Sequence, residues 1–208
     1  MKSKWEEPPS RDSLSIRAFT SRLLGGESEL VLHGGGNTSV KTKEKDHTGR
    51  TVRVLRVKGS GSDLASITEN GFTALRMDDL EAAKQIEAMD DITMSDYLRR
   101  SMLDPQQPSP SVESFLHAFI PNRYVDHSHS DAILSITNTD LSDDEVQKIL
   151  GEVIVLPYIP PGFQLAKSVL SVIAKTGNSK GIVLRKHGLF TYSDDARKSY
   201  ENHLSIVS

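Results

Sequence analysis

The 208 residues carry a formal charge of −3, with 37% hydrophobic and 25% charged side chains and no cysteine. Such a balance offers no general attraction to nucleic acid or to an anionic membrane. Without a thiol there is no disulfide or thiolate ligand, so a bound metal would rest on imidazole, carboxylate or water. The N-terminus, Met1-Lys2-Ser3-Lys4-Trp5-Glu6-Glu7, lacks the apolar run of a signal peptide, and no stretch approaches the ~18 apolar residues of a membrane span, so the expected setting is the cytoplasm.

The length suits one core-bearing domain, expected over residues 10–208, behind a flexible lead-in over 1–9 that ends in Pro8-Pro9. Ser10 can cap a first helix with Leu14, Ile16, Phe19, Leu23 and Leu24 on its apolar side, stopped by Gly25-Gly26. Strands are expected near Asn37–Lys41 and Val52–Val57, joined by a charged turn at Asp46–Arg50, and again at Thr73–Met77. Asp78-Asp79 opens a short helix. The prolines of Asp104–Ser111 make that stretch a loop, after which helix resumes at Val112 and stops near Pro121. Tyr124–Ser128 reads as a strand, Asp131–Thr137 and Asp143–Leu150 as helices, and Val153–Leu156 as a strand. An amphipathic helix over Gln164–Lys175 ends at Gly177. Gly181–Arg185 and Leu189–Tyr192 are strands broken at His187-Gly188. A last helix from Asp194 sets Ala196, Tyr200, Leu204 and Val207 on one face and carries no stop signal before Ser208, which leads to the expectation that the chain is a piece of a longer protein. Strands interleaved with helices predict an α/β sandwich. Turns too short for crossovers argue against a doubly wound parallel sheet.

Chemistry concentrates at the histidines. In Asp126-His127-Ser128-His129 the two imidazoles are two residues apart at a strand end, so they share a face and can reach one point. His187, beside Gly188 at another strand end, is the candidate for the third ligand that leaves catalytic zinc an open position. The same His-x-His pair also reads as a solvated strand end. His33, His47, His117 and His203 fit surface or core positions. Glu113 opens a helix, where the backbone dipole favours its ionised form; it reads either as an ordinary first-turn acid or as a base beside a metal-polarised carbonyl. Two small-residue loops, His33–Ser39 and Lys58–Ser62, are turns or an anion cradle. Neither has the Walker or dinucleotide pattern.

Taken in order, Gly35-Gly36-Asn37-Thr38-Ser39-Val40, Lys58-Gly59-Ser60-Gly61, Pro110-Ser111-Val112-Glu113, His127-Ser128-His129 and Lys186-His187-Gly188-Leu189 resemble the class II aldolase/adducin family over about residues 30–192. The resemblance implies a three-layer α/β/α sandwich with a largely antiparallel central sheet. It implies a divalent ion, zinc above others, on His127, His129 and His187, with Glu113 as acid/base residue. Asn37, Ser60, Gly61 and Ser111 would lie around a substrate phosphate. The implied reaction is retro-aldol cleavage of a ketose or ketose 1-phosphate through a metal-stabilised enediolate, in a homo-oligomer, often a tetramer. Within the family the chain is most similar to the aldolase part of rhamnulose-1-phosphate aldolase/alcohol dehydrogenase fusions, which implies a C-terminal short-chain dehydrogenase domain. Val112 departs from the second serine that many sugar-phosphate aldolases carry at that place. Dehydratases and 4-epimerases share the three histidines, the epimerases typically with Asp in place of Glu113. Adducin-like interaction domains lack the histidines.

Overall fold

The computed structural model describes residues 1–174 and 179–208. Within these residues seven strands form one sheet: β1 (Asn37–Lys45), β2 (Thr51–Lys58), β3 (Phe72–Arg76), β4 (Tyr124–Ser128), β5 (Val153–Leu156), β6 (Gly181–Leu184) and β7 (Gly188–Ser193). Their order is β3-β2-β1-β4-β7-β6-β5. Every pairing is antiparallel except β5 with β6. The parallel pair is the one with a helical crossover between its strands, as parallel pairing requires.

Among the described residues eight α-helices cover the sheet: α1 (Ser13–Gly25), α2 (Met77–Ala82), α3 (Asp91–Arg100), α4 (Ser114–Phe119), α5 (Asp131–Thr137), α6 (Asp143–Leu150), α7 (Phe163–Ile173) and α8 (Ala196–Val207). One core joins Leu55, Val57, Val125, Ile182 and Phe190 of the sheet to α2, α3, α4 and α7. On the other face α1 and α8 close over Val40 and Tyr124, while Ile133 of α5 packs on Val183 and Leu189. The result is the three-layer α/β/α sandwich expected. Strand alternation decides which residues each layer sees. Val125 and His127 of β4 face α4, whereas Tyr124, Asp126 and Ser128 face α1 and α8.

Several local expectations change. The N-cap of α1 is Asp12, not Ser10; its carboxylate accepts from the amides of Leu14 and Ser15 at 2.9 and 3.0 Å. The residues α1 buries are Arg17, Ala18, Thr20, Ser21 and Leu24, because Arg17 has a buried partner in Asp126. Helix α3, capped by Asp90, is an element the sequence reading passed over; Met94 and Leu98 at helical spacing were its signal. Helix α4 begins at Ser114, two residues later than expected, with Glu113 as its N-cap. Helix α7 starts at Phe163, and the expected end at Lys175–Gly177 lies outside the described residues. Residues 1–9 carry no helix or strand. Trp5 meets Phe19 edge-on at 5.7 Å, and the Lys4 amide donates to the Tyr200 hydroxyl at 3.2 Å.

Candidate metal centre

The centre starts from β4 and β7. Antiparallel register sets His127 opposite Phe190, and the rings stack with centroids 3.9 Å apart at 11°, a contact of ~0.5–1.5 kcal/mol. The His127 Nδ1–H donates to the Leu189 carbonyl at 3.0 Å. That bond leaves the lone pair on Nε2, the tautomer a metal ligand needs. His129 lies one residue beyond the strand, and its Nε2 is 3.1 Å from that of His127. His187 stands in the β6–β7 turn, its ring centroid 5.1 Å from His127 and 5.4 Å from His129. One nitrogen from each of the three lies within 4.8 Å of the others.

Two glycines make room. A Cβ on Gly188 would sit 2.3 Å from the Ser128 carbonyl and 3.1 Å from the His127 ring, so only glycine lets the turn close on the histidines. Gly36 has φ +60, and a Cβ there would meet the His127 carbonyl at 2.7 Å.

Glu113 completes the cluster. Its Oε1 is 3.2 Å from His187 Nε2 and its Oε2 3.5 Å from His127 Nε2. It makes no side-chain cap to α4, so its environment comes from these rings and from Asn37, whose Nδ2–H donates to Oε2 at 2.5 Å. Burial opposes ionisation of Glu113, but positive charge at the His127–His187 side of the cluster and the Asn37 amide outweigh it and hold the carboxyl below the usual range. Burial lowers His127 well below the ordinary imidazole value and lowers His129 as well, assisted by their histidine neighbours. Neutral rings keep their lone pairs for a cation.

The donor set fits a divalent ion. Two imidazole lone pairs held 3.1 Å apart repel one another unless a proton or cation lies between them. In a tetrahedral zinc shell two ligand nitrogens are about 3.3 Å apart. His187 Nδ1 is a buried atom with no hydrogen-bond partner among the described residues, and Glu113 Oε1 has only the His187 ring beside it, a state native structures rarely tolerate away from functional sites.

The two glycine-rich loops meet beside this cluster. Lys58 Nζ donates to the Gly34 carbonyl at 2.8 Å and so ties one loop to the other. The Ser60 amide donates to the Ser109 carbonyl at 2.7 Å, pinning the second loop to the proline-rich segment. Ser60 and Gly61 are exposed, Gly61 at φ +82. Ser111 is half-buried, and its hydroxyl accepts from the Glu113 amide and from Asn37 Nδ2, both at 3.2 Å. Asn37 is buried and turned inward. Ser60, Ser109, Pro110 and Val112 border a cleft of about 520 Å³ shared with α3. Sequence reasoning placed the histidines and Glu113 but missed Phe190 as the stacking partner and His117 as the residue behind Asn37.

A sequence model described as the class II aldolase and adducin N-terminal domain matches residues 17–207. The chain belongs to that family. Among solved structures, the N-terminal class II aldolase domain of a conserved protein from Thermoplasma acidophilum is 56% identical, with a TM-score of 0.95, covering 100% of this chain and 96% of that one. The L-fuculose-1-phosphate aldolase of Thermus thermophilus is 18% identical with a TM-score of 0.60, over 93% of this chain and 88% of that one, a likeness of fold. The uncharacterized oxidoreductase YuxG of Bacillus subtilis is 40% identical over 190 residues, 91% of this chain. This class II aldolase-family chain spans 28% of the length of YuxG. No helix among the described residues is long and apolar enough to cross a membrane.

Proposed function

We propose that this chain is a metal-dependent class II aldolase that cleaves a ketose or ketose 1-phosphate by a reversible retro-aldol reaction. The observation that carries this reading is three imidazole nitrogens within 4.8 Å of one another beside a buried carboxylate 3.2 and 3.5 Å from two of them. His127, His129 and His187 would hold the ion, and zinc suits an all-imidazole set with an open position. When bound, it supplies Lewis acidity toward a carbonyl oxygen. The rest falls to the chain. In the direction of synthesis, ionised Glu113 removes the proton from the carbon next to the carbonyl, leaving an enediolate that adds to the aldehyde, whose oxygen takes up a proton from solvent. In cleavage the hydroxyl that becomes the aldehyde loses its proton to solvent as the carbon–carbon bond breaks, and the Glu113 carboxyl delivers a proton to the enediolate carbon. Ser60, Gly61 and Ser111 border the phosphate or terminal hydroxyl of the substrate. Asn37, expected in that group, has both its amide protons and its carbonyl engaged inside the protein.

The test is a retro-aldol screen of ketose 1-phosphates and free ketoses with the purified, zinc-loaded protein. Cleavage that disappears with chelator and returns with metal is expected. Elemental analysis finding no bound ion, together with no metal-dependent cleavage, overturns the reading and favours an adducin-like binding module.

The match to a small part of an oxidoreductase supports a two-part protein, in which residues 10–208 form the aldolase domain and the remainder is a dehydrogenase; the assembly proposed for it is a homo-oligomer. Light scattering and a hydride-transfer assay on the full-length protein check both; a monomer without hydride transfer removes that extension.

A further inference from the structure

The odd-numbered side chains Asn37, Ser39 and Lys41 project from β1 toward α4, and each grips a different part of it. Lys41 Nζ donates to the carbonyls of His117, Ile120 and Asn122 at 3.0, 2.8 and 2.7 Å, closing the C-terminal end of the helix. Ser39 Oγ lies 2.8 Å from His117 Nδ1. Asn37 is hydrogen-bonded through Oδ1 to His117 Nε2 and through Nδ2 to Glu113 Oε2. Six residues make up α4, so its position against the sheet is set by these contacts rather than by its own length.

The polarity of the chain of bonds follows from its acidic end. An ionised carboxylate only accepts, so the Asn37 amide nitrogen must face Glu113 and its carbonyl must face His117. His117 therefore carries its proton on Nε2. The other ring nitrogen, Nδ1, is left to accept from the Ser39 hydroxyl. We propose that His117, acting through Asn37, is a positioning residue that fixes the orientation of the Glu113 carboxylate toward the histidine cluster. Oε1 is turned to His187 Nε2 at 3.2 Å while Asn37 holds Oε2 at 2.5 Å, so the bond from Asn37 fixes the protein side of the carboxyl group and thereby its rotation. Complete burial keeps His117 neutral, its pKa lowered to about 3 by desolvation against the pull of Glu113. The inference rests on the aldolase reading for its kinetic consequence but not for its geometry.

Two measurements test it separately. Two-bond proton–nitrogen correlation spectra of protein labelled with ¹⁵N-histidine, metal-free and zinc-loaded, should show His117 protonated on Nε2 with an unprotonated Nδ1. The loss of that signal in His117→Gln assigns it. An Nδ1–H tautomer or a doubly protonated ring overturns the proposal, whatever reaction the protein performs. In retro-aldol assays, His117→Phe should lower kcat by about 10- to 100-fold with KM and zinc content little changed. His117→Gln, which keeps a donor near the Nε2 position, should recover most of the loss. Unchanged kcat in the Phe variant, or equal loss in both, contradicts the positioning role. If unaltered protein cleaves no ketose, the proposed function fails while the spectrum still decides the relay.

Discussion

The two faces of β4 bury polar groups in opposite ways. On the α1/α8 side, Asp126 takes Arg17 on one oxygen and Ser199 on the other, both at 2.5 Å. His203 bridges Ser128 and Thr191 at 2.6 and 2.9 Å. Apart from Arg17 Nε, the charged and ring atoms of this group all have partners. On the α4 side, His127, His129, His187 and Glu113 crowd together with lone pairs converging and acceptors left over. A polar cluster that satisfies itself belongs to the fold, because an unpaired buried group costs free energy. One whose donors and acceptors do not match internally is built for something added from outside.

The contrast can be broken from either side. The largest effect expected is from Glu113→Gln, which should cut turnover by about 10²–10⁴-fold and leave metal content and folding intact; steady-state kinetics with metal analysis decide, and unchanged turnover removes Glu113 from its role. Across the strand, Arg17→Ala strands a buried carboxylate and should cost about 3–5 kcal/mol in urea unfolding. A loss below about 1 kcal/mol would mean that Asp126 is satisfied without Arg17.

His203 adds a pH signature. Its folded pKa is lowered to about 4 by burial, against 6.5 for the ordinary ring. The unfolded chain therefore takes up the proton first. Stability from neutral His203 is whole above about pH 6.5, declines as pH falls toward 4, and is fully lost below that. Over that window the loss is on the order of 3 kcal/mol, at about 1.4 kcal/mol per pH unit for one proton. Urea curves for His203→Asn between pH 7.5 and 4 should be flatter by about that slope, and an identical slope contradicts the assignment.

Ser199→Ala removes one bond to a buried charge and should cost about 1.5–3 kcal/mol, without change in metal binding or turnover. His129→Ala should do the reverse. In metal-free protein its effect on unfolding should stay within about 0.5 kcal/mol, while zinc content falls. A full metal complement in that variant would exclude His129 as a ligand.

Periodicity made much of this legible. Asp131–Thr137, Asp143–Leu150 and Val153–Leu156 end where expected, because a capping box at Ser142 and Gly151 punctuate the chain there. Helix boundaries failed where side-chain chemistry overrode propensity. The apolar stripe read for α1 is mostly half-buried, since the helix turns Arg17 inward to meet Asp126. His117 was read as a surface or core residue, and core it is. Nothing local, though, connects it to Asn37, eighty positions away.

The amino-acid order by itself determined that His127 and His129 turn to the same side at a strand end, that Asp126 and Ser128 turn the other way, and that no thiolate could join a ligand set. These follow from the two-residue repeat of a strand and from composition. Only the tertiary structure decided that His187 and Glu113 come to the same point as that pair. It also decided that Phe190 stacks beneath His127, and that Asn37 turns to Glu113 rather than outward. Those contacts join β1, β4, α4 and the β6–β7 turn, and they exist only once the sheet order β1-β4-β7-β6 brings distant segments together.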